Sequence, residues 1–153
     1  MALRTGSDLP SFDGVADWIN GAPKREELAG KPLLVHFWSL SCYLCHDAAE
    51  KTAAWTATYG PRGLAVLAVH QPRGPEELDT AKVAEDARGP MGITWPCAVD
   101  NAHTLVQRFE NQFVPAYYLF DRDGKLVHRQ AGDRGFERLL AKIDAVLEDE
   151  AAA

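Results

Sequence analysis

The sequence predicts an α/β protein: a central mixed sheet with helices on both faces. Three observations carry this prediction. Apolar runs of strand length alternate with longer segments of helical period, as expected for a sheet covered by helices. The runs Leu33–Trp38 and Leu64–Val69 are nearly continuous rather than alternating, the pattern of strands buried on both faces. Late in the chain, two further runs flank Asp121-Arg122-Asp123-Gly124, a turn that would add an antiparallel hairpin edge. With 153 residues, 46% hydrophobic and 25% charged, the chain suits one domain spanning 1–153.

The elements follow in order. Residues 1–32 are rich in Gly and Pro, and Asn20-Gly21 after Asp17-Trp18-Ile19 predicts a hairpin turn. Leu33–Trp38 is the first buried strand. Ser39 and Ser41 come next, either suited to cap a helix beginning near Cys42. That helix carries Cys45, Ala48, Ala49, Thr52, Trp55 and Tyr59 on its buried face and stops at Gly60-Pro61. Leu64–Val69 is the second strand, ended by Gln71-Pro72-Arg73-Gly74-Pro75. A weaker helix over 76–88 closes at Gly89-Pro90, and Pro96–Val99 forms a short strand. Asp100 is placed to cap a helix carrying Leu105, Val106 and Phe109. Ala116–Phe120 and Leu126–Gln130 are the hairpin arms. The last helix shows the clearest stripe, through Phe136, Leu139, Leu140, Ile143, Val146 and Leu147. Its end, from Glu148 to Ala153, is expected to fray.

Composition narrows the function. Sixteen Lys and Arg against twenty-two Asp and Glu give a net charge of −6, which argues against a nucleic-acid partner. The opening Met1 to Pro10 lacks the apolar core of a signal peptide, and the longest apolar runs fall far short of a bilayer span. The expectation is a cytoplasmic protein with no membrane association and thiols reduced at rest. Three cysteines are too few for a disulfide scaffold in a chain this long.

Cys42-Tyr43-Leu44-Cys45 is the sharpest signal, because it sits where a buried strand gives way to a helix. The first-turn N–H groups and the helix dipole favour an anion there, so Cys42 should become thiolate more readily than a free cysteine. Cys45, one turn in, would be shielded and protonated, yet within reach of Cys42. That asymmetry suits disulfide exchange, with Cys42 as nucleophile and Cys45 as resolver. Two other readings use the same residues. Together with His46 the string also spells the c-type haem attachment motif, and Cys42, Cys45 and His46 could begin a metal site. No second CxxC or HxxxH completes a metal site, and His70, His103 and His128 are scattered. Cys97, between Pro96 and Ala98, reads as an inert buried residue.

Trp38-Ser39-Leu40-Ser41-Cys42-Tyr43-Leu44-Cys45, with Val114-Pro115 much further on, resembles the thioredoxin superfamily. Within it the chain is similar to the TlpA/ResA class of thiol-disulfide oxidoreductases, the cytosolic YkuV type among them. The likeness runs through Ala16–Gly21, His36–Cys42, Ala68–Arg73, Phe109–Tyr118, Phe120–Gly124 and Gln130–Gly132, nearly the whole chain. It implies a thioredoxin-like fold with an N-terminal extension over 1–32 and a strand-helix insertion over 72–100. It also implies that Pro115 is cis beside Cys42 and keeps metals from the sulfurs, that the Val114 backbone receives an extended substrate, and that Trp38 packs beside Cys42 with its indole N–H at the surface.

Departures from the family pattern refine these expectations. His36 stands where thioredoxins place a buried Asp, and could accept the proton that Cys45 gives up. Ala48 replaces a Glu frequent in ResA-like proteins, Glu50 stands where many relatives have a kinking proline, and Ser41 leaves the rim open and polar. Peroxiredoxins need Pro and Thr seven and three residues before the reactive cysteine; here those positions hold Val35 and Ser39. Tyr43 and Leu44 bring no positive charge, so the pair is expected to act as a reductant of protein disulfides. An electron donor, thioredoxin reductase or another thiol system, would recharge it. No cofactor and no metal are expected, and the chain is expected to be a monomer.

Overall fold

The computed structural model describes residues 3–152; residues 1, 2 and 153, which the one-domain span and the fraying C-terminal end include, lie outside the described residues. Strand β1 (Asp17–Ile19) and the short helix α1 (Arg25–Leu28) precede β2 (Leu33–Trp38). Helices α2 (Tyr43–Asp47) and α3 (Ala49–Tyr59) lead to β3 (Ala65–His70). Then come α4 (Thr80–Arg88), β4 (Cys97–Val99), α5 (Thr104–Arg108), the hairpin β5 (Ala116–Phe120) and β6 (Leu126–Ala131), and α6 (Phe136–Ala152).

The six strands form one mixed sheet in the order β1-β4-β3-β2-β5-β6. β2, β3 and β4 run parallel, whereas β1, β5 and β6 pair antiparallel with their neighbours. Alternate side chains of β2 go to opposite faces. Leu34 and Trp38 join one core with Trp55, Tyr59, Val83, Leu139 and Ile143. Leu33, Val35 and Phe37 join the other with Leu105, Phe109, Phe120 and the N-terminal Leu9 and Phe12. This double burial explains the unbroken apolar run, and each buried aliphatic side chain contributes about 1.5–3 kcal/mol.

Several local expectations are corrected. Asn20 and Gly21 do adopt positive φ, 66° and 86°, but no hairpin follows; β1 pairs instead with β4. The reason is the Asn20 side chain, whose Nδ2 donates to the carbonyls of Ile93 and Trp95 while its Oδ1 accepts from Arg88 Nε. Helix α1 was not foreseen, since four residues are too short to display a period. The helix read from Cys42 to Tyr59 is two helices meeting at Ala48 (φ −86°, ψ −3°). There the Thr52 hydroxyl and amide both bond the Ala48 carbonyl, the back-bonding that bends helices. The 76–88 helix is likewise divided, a 3-10 turn at Pro75–Leu78 followed by α4, whose cap Asp79 accepts from the Ala81 and Lys82 amides.

Asp100 does cap α5, from a position further back than a formal N-cap. Its carboxylate oxygens accept from the Leu105 and Val106 amides at 3.0 and 2.9 Å, while being nearly fully buried. Asp100→Ala should therefore destabilise the protein by about 1–2 kcal/mol in urea unfolding, with unchanged thiol reactivity in the folded protein. A loss below a few tenths would show that the cap is dispensable.

Candidate active site

Beyond β2 the chain turns sharply, and each residue of the turn is tied to the last residue of β3 or to the segment after it. Ser39 Oγ donates to the Gln71 carbonyl at 2.5 Å, and the Leu40 amide donates to His70 Nε2 at 3.1 Å. Ser41 Oγ donates to Glu77 at 2.8 Å, and its amide reaches the same carboxylate at 3.4 Å. With the serines committed sideways, neither caps the helix. Cys42 does so itself: its Sγ accepts from the Cys45 amide at 3.0 Å. Cys42 and Cys45 are joined as a disulfide with Cα atoms 5.2 Å apart. The expected difference in shielding is absent in this oxidised state, in which the residues are 3% and 2% exposed. What separates the two sulfurs is position. Cys42 Sγ sits at the helix start and receives a backbone N–H, which favours a negative charge there.

The loop before β5 leads into the strand that flanks β2 on the side away from β3. The Val114–Pro115 peptide bond is cis. Pairing of Phe37 with Ala116 sets this proline beside the end of β2, from which the cysteine loop departs. A buried polar chain fixes the two loops together. Tyr118 Oη donates to Asn111 Oδ1 at 2.8 Å, and Asn111 Nδ2 donates to Gln71 Oε1 at 2.8 Å and to the Phe113 carbonyl at 3.0 Å. Gln71 Nε2 reaches the Gln112 carbonyl at 3.3 Å. Sequence reasoning missed Gln71, Asn111 and Tyr118. The available signal was polar side chains beside strand ends that cannot be left unpaired once buried.

Two expected roles change. Trp38 is fully buried, and its indole N–H donates to Cys97 Sγ at 3.4 Å rather than reaching the surface. It supports the site from beneath, edge-on to His70 at 4.9 Å, and offers a substrate no face. The exposed aromatics are instead Tyr43, 74% exposed, and Phe113, 66% exposed. Cys97 is buried as expected, which pushes its thiol up to about 12. His36 lies on the same sheet face as the pair, but Trp95 Nε1 donates to its Nε2 at 3.0 Å. Burial pushes its pKa down to about 3, so it is a weak base at neutral pH and an unsuitable acceptor for the Cys45 proton. Ser41 is exposed at the rim but pinned, accepting from Arg73 Nε at 3.1 Å as it donates to Glu77. Glu50 faces water.

His46 follows Cys45, and both of its ring nitrogens are engaged. Nδ1 lies 2.6 Å from the Cys42 carbonyl oxygen and Nε2 lies 2.6 Å from Asp86 Oδ2. The metal reading thus lacks its histidine, and among the described residues no group of three or more His, Cys, Asp or Glu is arranged to hold a metal ion. A groove of about 710 Å³ lined by Leu9, Phe12, Trp18, Leu28, Leu33 and Phe120 contains neither cysteine. Leu33 and Phe120 mark the end of β2 opposite the pair. No helix among the described residues is long and apolar enough to cross a membrane.

Comparison with known proteins agrees with this geometry. Residues 5–129 match the model of the AhpC/TSA family. The chain is 43% identical over 148 residues to the thiol-disulfide oxidoreductase YkuV of Bacillus subtilis, covering 96% of this chain and 97% of that protein. It is 23% identical over 137 residues to the thiol-disulfide oxidoreductase ResA of Bacillus thuringiensis, covering 90% and 75%. The solution structure of a thioredoxin-like protein in the oxidised form superposes with a TM-score of 0.84 at 41% identity, over 96% of this chain and 99% of that one.

The buried histidines set a pH dependence. In the unfolded chain His36 and His70 bind protons near pH 6.5; folded, burial lowers them to about 3 and about 4. Stability fully present above pH 6.5 should therefore decline as pH falls through that value toward 4, because only the unfolded state takes up these protons. Urea unfolding should show a lower midpoint at pH 5 than at pH 7.5, and a smaller difference in His36→Asn. An imidazole NMR signal of His36 titrating near 6.5 in the folded protein would contradict this assignment.

Proposed function

We propose, from the premise that this chain belongs to the AhpC/TSA family of thioredoxin-like proteins, that it is a protein-disulfide oxidoreductase working in the reducing direction through Cys42 and Cys45. The observation that carries this reading is the Cys42 sulfur at the helix start, receiving the Cys45 amide with the second cysteine one turn behind. The Cys42 thiolate attacks one sulfur of a substrate disulfide, and the other leaves as a thiolate that takes a proton from water. Cys45 then gives its proton to solvent water and attacks Cys42 Sγ, releasing the second substrate thiolate, which takes up a proton in turn. The enzyme ends as the Cys42–Cys45 disulfide, the state of this structure, and two electrons from an external thiol donor return it to the dithiol.

The substrate is a protein segment lying across Val114 and Pro115, with Tyr43 and Phe113 offering exposed apolar contact. Thioredoxin reductase or another cytoplasmic thiol system would be the donor, and the single domain would act as a monomer. The absence of charge on Tyr43 and Leu44 supports a reductant, since the thiolate gains nothing from the residues between the sulfurs. A peroxidase reading is disfavoured by Val35 and Ser39, which replace the Pro and Thr that chemistry calls for.

Insulin and DTNB reduction test the proposal. Activity should fall at least about a hundredfold in Cys42→Ser, while Cys45→Ser should accumulate a mixed disulfide with substrate. Full activity in Cys42→Ser would overturn the assignment of the nucleophile. A reduction potential near that of a strong oxidant, about −120 mV, would overturn the direction.

A further inference from the structure

We infer that His46 is a positioning residue of this site, a cation clamped between the Cys42 carbonyl and Asp86 that steadies the Cys42 thiolate and ties the redox poise of the pair to helix α4. The inference rests on the thiol-disulfide reading and deepens it.

The clamp dictates the charge. A carbonyl oxygen accepts and does not donate, and an ionised carboxylate does the same. Each lies 2.6 Å from a different ring nitrogen of one imidazole. A neutral imidazole has a single N–H and could satisfy only one of them; the imidazolium satisfies both. The surroundings agree. Partial burial pulls the His46 pKa down, but the Cys42 carbonyl, Asp86 and neighbouring Asp47 together raise it above the ordinary value. The groups facing the ring are Asp86 from α4, Asp47 from its own helix, and the uncharged indole of Trp38, edge-on from β2 at 6.4 Å. Arg73 and Glu77, the other charges near the motif, are joined through Ser41 on the preceding loop.

The consequence for the sulfurs is directional. A cation bonded to the Cys42 carbonyl is within one helical turn of the sulfur that becomes negative on reduction. The disulfide carries no charge and gains nothing from it. His46 therefore stabilises the reduced form selectively, and Asp86 moderates the effect while holding the ring in place. Thiolate and imidazolium also support each other, so their titrations are coupled. Because Asp86 belongs to α4, this segment between β3 and β4 takes part in setting the chemistry.

Thiol titration tests this directly. In the reduced Cys45→Ser background, thiolate absorbance reports Cys42 alone, since Cys97 ionises only near 12. His46→Gln should raise the Cys42 pKa by about half a unit to one unit, and His46→Lys, which keeps the charge, should restore most of it. With both cysteines present, His46→Gln should shift the equilibrium with glutathione toward the disulfide by about three- to tenfold, about 15–30 mV more negative. In wild type the His46 imidazole should keep both N–H protons at pH 7, and Asp86→Asn should lower the pH at which one is lost. An unchanged Cys42 pKa in His46→Gln would overturn the inference, as would equal shifts in His46→Gln and His46→Lys, which would mark a packing role. A wild-type pair that never exchanges with glutathione would sink the oxidoreductase reading instead, and the Cys42 titration would still decide for or against His46.

Discussion

One hydrogen bond organises this protein, the donation from the Cys45 amide to Cys42 Sγ. It requires the Cys42 sulfur to occupy the position where a helix would ordinarily carry a serine or aspartate cap. The rest of the local structure enforces that substitution. Ser39, Leu40 and Ser41 are drawn sideways onto Gln71, His70 and Glu77, so that no other side chain can take the capping place. The cysteine loop is thus a product of the β2–β3 pairing. Trp38 lies opposite His70 in that register, and the residues following each strand are bonded to one another.

The second half of the site is assembled across a long stretch of sequence. Gln71, Asn111 and Tyr118 are separated along the chain but form one continuous buried chain of donors and acceptors. Each would cost free energy if left unpaired in the interior, so their mutual satisfaction fixes the spacing between the loop bearing Cys42 and the loop bearing Pro115. Charge is arranged in a similar manner. Glu77 and Arg73 meet at Ser41 just before Cys42, and His46 and Asp86 meet just after Cys45.

The strands, the last helix and the cysteine pair were legible in the sequence because each rests on a pattern with a short range: continuous burial, a 3.6-residue stripe, a CxxC at a strand end. β2 and β5 coincide with their expected runs, β6 extends its run by one residue, and α6 starts where its stripe starts but continues past it to Ala152. What escaped depends on partners far away in sequence. Asn20-Gly21 carries a hairpin signature, yet Ile93, Trp95 and Arg88 claim the asparagine side chain. The Trp38 N–H points inward because Cys97, brought alongside by the β3–β4 pairing, offers a soft acceptor. His36 resembles a catalytic base until Trp95 is seen to occupy its nitrogen. The role of His46 was obscured by a motif that spells other chemistries, and became readable only when Asp86 was placed against it.

Position at the helix start, rather than accessibility, sets the Cys42 sulfur apart from that of Cys45. The most direct measurement is the pH dependence of iodoacetamide alkylation in the fully reduced protein, with the modified cysteine identified by peptide mapping. Cys42 should be modified at least about tenfold faster than Cys45 at neutral pH, with an apparent thiol pKa below the free value of about 8.5. Equal rates at the two cysteines, or faster modification of Cys45, would contradict it.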